Sequence, residues 1–271
     1  MKSLSVHPAR GSWRWAVTAV WAMALVWVIA LPAQTAHAQS TQTPWQNLTP
    51  SQLTAVWWQW TFSIPASISP LVDTTGSNAA VNQPYYSARG NDGLFFLGGT
   101  FAVTQLANGD LLGEVTRAIS VKQGTTFFFP LLNAEWDNVC YRPNLGGNCF
   151  NLPKFPQVFS VPQERAIVAA QEDPATGLNA TLTLPDGSTH DLGYQRLQSP
   201  PFSFTLPPGP DNLYGVVEQG TVAPAVSDGY WSSVPGTLAP GVYVLRFGGT
   251  APLTGTAHFI EVITYDITIT S

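Results

Sequence analysis

The chain has 271 residues, a formal net charge of −5, 10% charged residues and 45% hydrophobic ones. So few lysines and arginines leave little to release phosphate counterions or to hold an anionic lipid surface, which argues against nucleic acid and membrane-surface partners. The apolar fraction is ample for one large domain, or for two small ones sharing a core.

Lys2, Arg10 and Arg14 precede an apolar run of 17 residues, Trp15–Leu31, which is followed by Pro32 and by Ala36-His37-Ala38. That order is that of a secretory signal peptide, whose cleavage site admits only small side chains, and cleavage is expected after Ala38. An uncleaved anchor is the alternative, for which the run is at the short limit of a spanning helix. Cleavage would take three of the 11 basic and none of the 16 acidic residues, leaving 233 residues with a net charge of −8. No later stretch is long enough to span a bilayer. The expected location is therefore periplasmic or extracellular in a bacterium. Residues 39–271 are read as one mainly β domain, with a sub-boundary near 155–180 as the alternative.

A polar lead-in (39–47) gives way to a helix signal. Thr49 and Gln52 form a T-x-x-Q capping box, Pro50 suits the first helical position, and Leu48 with Leu53 would make a hydrophobic staple. Leu53, Val56, Trp57 and Trp60 recur on one helical face, and Ile64-Pro65 ends the element. Trp58 falls off that face. Residues 65–93 show no period and carry Tyr85-Tyr86, which reads as a long ordered cover.

Three apolar runs follow: Leu94–Leu106, Leu111–Val121 and Thr126–Trp136, parted by the turns Asn108-Gly109 and Gln123-Gly124. Read as a meander, they set Val103 opposite Glu114 and Glu114 opposite Asn133. Pro130 predicts a bulge or an edge, because it cannot donate to a ladder. Ser160 with Gln163 predicts a short middle helix to Gln171. Thr181–Leu184 and Ser188–Leu192 flank the turn Asp186-Gly187. Further strands are expected at 202–206, 213–218, 241–247 and 256–269. Strands spaced by Gly and Pro turns point to an antiparallel β-sandwich or jelly-roll-like domain.

Cys140 and Cys149 enclose a short Asn/Gly/Pro-rich loop, and an exported pair this close predicts one disulfide. A metal pair is the alternative, though no second pair completes a tetrahedral set. Calcium is the one cofactor that the loop oxygens of Asp73, Asp92, Asp137 and Asn138 would admit, without EF-hand spacing. His190 and His258 are the only histidines beyond the leader. No G-x-S-x-G elbow and no glycine fingerprint at a helix start is found.

Candidate catalytic residues are Glu114, Glu135 and Asn133. In the meander register Glu135 lies diagonal to Glu114, about 7–8 Å away between Cα atoms. Two carboxyls so placed suit acid–base work on a glycosidic bond, with Asn133 orienting substrate. Trp58, Tyr85, Tyr86, Trp136, Tyr230 and Trp231 are candidate ligand-stacking aromatics. Arg117, mid-strand, demands a carboxylate partner, for which Asp73, Glu135 and Glu261 are candidates; Glu261, an acid in an apolar stripe, is its expected ion-pair mate.

The segments WWQWTFSIP (57–65), PLVDTTG (70–76), LFFLGGTF (94–101), VTRAISV (115–121), FFFPLLNAE (127–135), Tyr194-x-Arg196, SDGYW (227–231), PGVYVLRFGG (240–249) and TYDIT (264–268) resemble a family of uncharacterised secreted bacterial proteins. The resemblance spans nearly all of the chain after the leader. It implies export and a β-rich fold, and it brings no activity. The residues themselves favour a non-catalytic binding or structural module for carbohydrate or another envelope polymer. A secreted hydrolase or lyase using Glu114 and Glu135 is the alternative, and an assembly protein with aromatic contacts is a third reading.

Overall fold

The structure is a computed structural model and describes residues 44–87, 93–139, 159–215, 220–253 and 255–271. The expected signal peptide, the Cys140–Cys149 pair and Asp92 lie outside the described residues.

Helix α1 (Pro50–Phe62) starts as its sequence dictates. Thr49 Oγ1 accepts from the Gln52 amide at 3.2 Å, and Gln52 Oε1 accepts from the Thr49 amide at 2.8 Å. Helix α2 (Val161–Glu172) starts the same way, the Ser160 amide donating to Gln163 Oε1 at 2.9 Å. No helix among the described residues is long and apolar enough to cross a membrane.

The rest is mainly β, in two open, mixed sheets. The first runs β1 (Leu94–Phe96), β4 (Thr126–Asp137), β9 (Gly220–Val234) and β7 (Gln195–Gln198), with β8 (Phe202–Leu206) on another stretch of β9. The second runs β2 (Thr104–Gln105), β3 (Leu111–Lys122), β11 (His258–Thr270), β10 (Gly241–Pro252), β5 (Thr176–Thr183) and β6 (Thr189–Asp191). Most pairings are antiparallel, but β1–β4 and β3–β11 are parallel.

The sheets make a sandwich. Phe127, Phe129 and Leu131 of β4 meet Leu245, Phe247, Ile263 and Ile267 of the second sheet. On the opposite side of the first sheet, Phe96, Phe128 and Trp231 pack with Trp57, Trp60 and Phe62 of α1. Strand β4 therefore serves two cores at once, and residues 127–132 are buried without interruption. Each large side chain so buried contributes on the order of 1.5–3 kcal/mol.

The expected meander is corrected. The first run divides, β1 joining the first sheet and β2 the second. The Asn108-Gly109 turn does close a short β2–β3 hairpin, with Gly109 at φ +92°. At Gln123-Gly124, however, the chain crosses from one sheet to the other. Glu114 consequently pairs with Val262 in the second sheet, and Asn133 with Gly229 in the first. Two runs that are apolar on both faces cannot tell a hairpin from a corner between layers. The bulge expected at Pro130 is present, the β4–β9 register slipping between Pro130 and Leu132. The strand expected at 213–218 is not formed over its described part, where residues 213–214 lie in a turn.

Candidate functional site

Arg117 projects from β3 into the sandwich and is fully buried. Its Nε donates to the Asp73 carbonyl at 2.8 Å, Nη1 to the Gly98 carbonyl at 2.7 Å and the Tyr265 hydroxyl at 2.8 Å, and Nη2 to the Gly99 carbonyl at 2.9 Å. Glu261, from β11, holds the next residue of that segment: its Oε1 accepts from the Thr100 amide at 2.7 Å. The expected direct Arg117–Glu261 ion pair is thus replaced by an indirect arrangement, in which both groups grip the Gly98–Thr100 segment between the sheets. The five N–H donors of the guanidinium fork can reach several fixed carbonyls at once. The Asp73 side chain closes its own turn instead, accepting from Thr75 and Asn78 amides at 2.9 and 2.8 Å. Burial pushes that carboxyl up, but these bonds and the Arg117 charge outweigh it and hold it below its ordinary value.

Beside this hub lies a small chamber of about 80 Å³, lined by Trp58, Asn133, Glu172 and Glu261 together with Phe101 and Phe259. Strand β4 supplies Asn133, the last residue of α2 supplies Glu172, and α1 supplies Trp58. Three of these carry buried polar atoms with no hydrogen-bond partner: Trp58 Nε1, Asn133 Nδ2 and Glu172 Oε2. Gly99 makes room for the fourth, since a Cβ there would fall 2.2 Å from Glu261 Oε1. Burial pushes Glu261 up to about 7, against the opposing Thr100 bond and Arg117 charge. Burial, then the charge of Asp228, pushes Glu172 up to about 8, with Glu261 adding and Arg196 opposing.

A separate cleft of about 430 Å³ opens beside the N-terminal end of α1. Trp45, Tyr194, Trp231 and Phe128 form its aromatic walls, and Gln195 and Ser233 its polar ones. Among the described residues, no Asp, Glu, Lys, Arg or His lines it. Trp231 is held rigidly, stacked on Phe128 at 5.0 Å and edge-to-face with Trp57 at 5.5 Å. Tyr194 is exposed at its rim and rests edge-on against Tyr230.

The residues expected from sequence are distributed as follows. Glu114 is exposed on β3 and Glu135 lies on β4, so the two stand in different sheets and the facing geometry expected of them is absent. Glu135 pairs instead with Asp137 around the Tyr214 hydroxyl, which lies 3.1 Å from Glu135 Oε2 and 2.7 Å from Asp137 Oδ2. Burial, then the Asp137 charge, pushes Glu135 well above the usual carboxylate range. Asn133, Trp58 and Glu261 do converge, at the chamber. Tyr85 and Tyr86 pack on Phe96 and Phe95 and serve the cores. Trp136 sits edge-on to Phe159. Trp231 lines the cleft. The Tyr230 hydroxyl donates to the Glu172 carbonyl at 3.3 Å, and its ring lies under Arg196. Of the calcium candidates, Asn138 donates to Glu164 at 2.6 Å and Asp137 caps the Val139 amide at 2.6 Å. No group of three or more His, Cys, Asp or Glu among the described residues is placed to hold a metal.

Sequence reasoning missed Glu172, Trp45 and Tyr194. Glu172 had a signal, because Glu164, Val168 and Glu172 form the buried stripe of α2 at four-residue spacing. Two acids in an inward stripe call for partners or a cavity. No protein-family model, curated protein or solved structure matches the chain.

Proposed function

We propose that this chain is an exported, non-catalytic binding module whose aromatic cleft takes a neutral, hydroxyl-rich ligand, carbohydrate or another envelope polymer. The observation that carries the reading is the cleft's lining: indole and phenol faces with amide and hydroxyl groups, and no charged side chain among the described residues. Sugar rings present C–H faces that stack on aromatics and hydroxyls that amide and hydroxyl groups can pair with. The leader-like first 38 residues support export, and the family resemblance points the same way. The hydrolase alternative asked for Glu114 and Glu135 at one bond, and their separation between sheets removes its support.

The test is intrinsic tryptophan fluorescence titrated with a panel of neutral oligosaccharides and isolated envelope polysaccharides. Saturable binding is expected to weaken about tenfold or more in Trp45→Ala and in Tyr194→Ala, as befits an aromatic anchor. It should be flat between pH 5 and 9, because no charged side chain among the described residues lines the cleft. A panel that gives no saturable change, or binding indifferent to both substitutions, rejects the reading.

A further inference from the structure

We infer that Glu135, Tyr214 and Asp137 form a proton-dependent latch, which holds residues 207–214 on β4 and lets them go when Glu135 ionises. The ground for it is a count of protons. Glu135 and Asp137 stand two apart on β4, so both point to one face of the strand. The Tyr214 hydroxyl lies 3.1 Å from Glu135 Oε2 and 2.7 Å from Asp137 Oδ2. A phenol has one proton to give, and an ionised carboxylate has none. With both acids ionised, one of these contacts would set lone pair against lone pair. Both are hydrogen bonds only if one carboxyl keeps its proton.

The surroundings assign that proton to Glu135. Asp137 Oδ1 accepts from the Val139 amide at 2.6 Å, which favours its ionised form. Glu135 Oε1 is closed off from solvent and has no partner, which is where a charge is costliest. Its carboxyl is accordingly pushed well above the usual range, by burial first and by the Asp137 charge second. The hydrogen bonds then run one way: Glu135 donates to the Tyr214 oxygen, and Tyr214 donates to Asp137. Burial and both acids push the Tyr214 hydroxyl well above its own ordinary value, so it stays protonated while Glu135 titrates. Among the described residues, Glu164 on α2 adds to the push on Glu135, and Arg165 opposes the charge of Glu164. Strand β9 presents Ser227 opposite Glu135, with Asp228 next to it committed to Arg196. Helix α1 and strand β8 carry no ionisable side chain.

The latch closes over the helix-side core. The Tyr214 ring stacks on Phe62 of α1 at 5.0 Å and on Phe204 of β8 at 6.4 Å. A second tie of the same segment is Asp211, which accepts from the Ser67 amide at 2.8 Å and the Ser67 hydroxyl at 2.7 Å. Those bonds hold the Asp211 carboxyl below its ordinary value, so this tie does not change above neutrality. The Glu135 tie does. Its folded value is raised, so its contribution is complete at low pH and is lost as pH rises through that value. Ionisation leaves two carboxylates sharing one hydroxyl proton and repelling each other, and the segment lifts from β4. The experiment is a 13C titration of the Glu135 side-chain carboxyl, with hydrogen exchange of residues 207–214 followed in parallel and corrected for the intrinsic effect of pH. The carboxyl is expected to be protonated at pH 7. Above its titration point, protection of the segment should fall about tenfold per pH unit, the slope of a single proton. Glu135→Gln offers the Tyr214 oxygen an amide donor without a charge, and should remove that fall. Tyr214→Phe keeps the ring and loses the hydroxyl, and should lower protection already at pH 7. A Glu135 carboxyl that titrates in the ordinary range, protection that holds as it ionises, or an equal fall in Glu135→Gln overturns the inference. The 13C titration needs no variant, so it decides even where a substituted chain fails to fold.

Discussion

Glu172 and Glu261 each take the place in a protein where an acid is hardest to keep ionised. Their folded pKa values, about 8 and about 7, stand well above the roughly 4.3 of a glutamate in an unfolded chain. Between those limits the folded state holds protons that the unfolded state releases, so unfolding becomes easier as pH rises. Glu164, raised to about 7 by burial and then by Asp137, acts in the same sense. Asp73 acts oppositely: its folded value is depressed, so its contribution is present at neutral pH and is lost as acid protonates it. Urea unfolding should therefore find the highest midpoint near pH 5, a decline toward pH 8, and a second decline below about pH 4. Glu172→Gln keeps the shape and removes the ionisation. It should flatten the alkaline decline and add about 1–3 kcal/mol at pH 8 relative to the parent chain. A midpoint that rises steadily from pH 5 to 8 would contradict the burial of these groups. The sign of this dependence was not legible beforehand, because sequence placed Glu261 in an ion pair that would have depressed it.

At the scale of elements, what could be read was whatever is written locally. Both helices are announced by capping boxes, and the Pro130 bulge by a missing donor. What could not be read was pairing between distant segments. Strand β9 is the plainest case. Its sequence carries Pro224, Gly229 and three serines and shows no clean alternation, yet it is the partner of β4, β7 and β8. Gly229 shows why: a Cβ there would lie 2.6 Å from both Asn133 Cα and the Leu132 carbonyl oxygen. A residue that looks like a strand breaker is in fact what lets β9 approach β4 beside the chamber. Gly229→Ala is expected to cost about 1–3 kcal/mol by overpacking, seen as a lowered urea midpoint with an unchanged slope. It should also move the Asn133 side-chain amide signals, which Gly187→Ala, in an open turn, would not. The candidate site was half legible for the same reason: Asn133, Trp58 and Glu261 were each conspicuous alone, but only the crossover at Gln123-Gly124 brings their elements together.

For the molecule as a whole, the arrangement in layers decides how it comes apart. The core beneath α1 contains Trp57, Trp58, Trp60 and Trp231, whereas the core between the sheets contains no tryptophan among its buried members and holds Tyr243 and Tyr265. A fold with two cores invites two transitions. These cores, however, share β4, whose alternate residues Phe127, Phe128 and Phe129 face one and then the other. Neither core survives the loss of that strand, and the Arg117 and Glu261 contacts tie the segment leaving β1 to the second sheet. Equilibrium unfolding of the purified chain should accordingly be a single cooperative transition. Tryptophan fluorescence, which reports the helix-side core, and tyrosine near-ultraviolet circular dichroism, which reports chiefly the inter-sheet core, should give coincident curves. Separate midpoints would mean that the first sheet outlasts its partner, and that the strand common to both is not the keystone its burial implies.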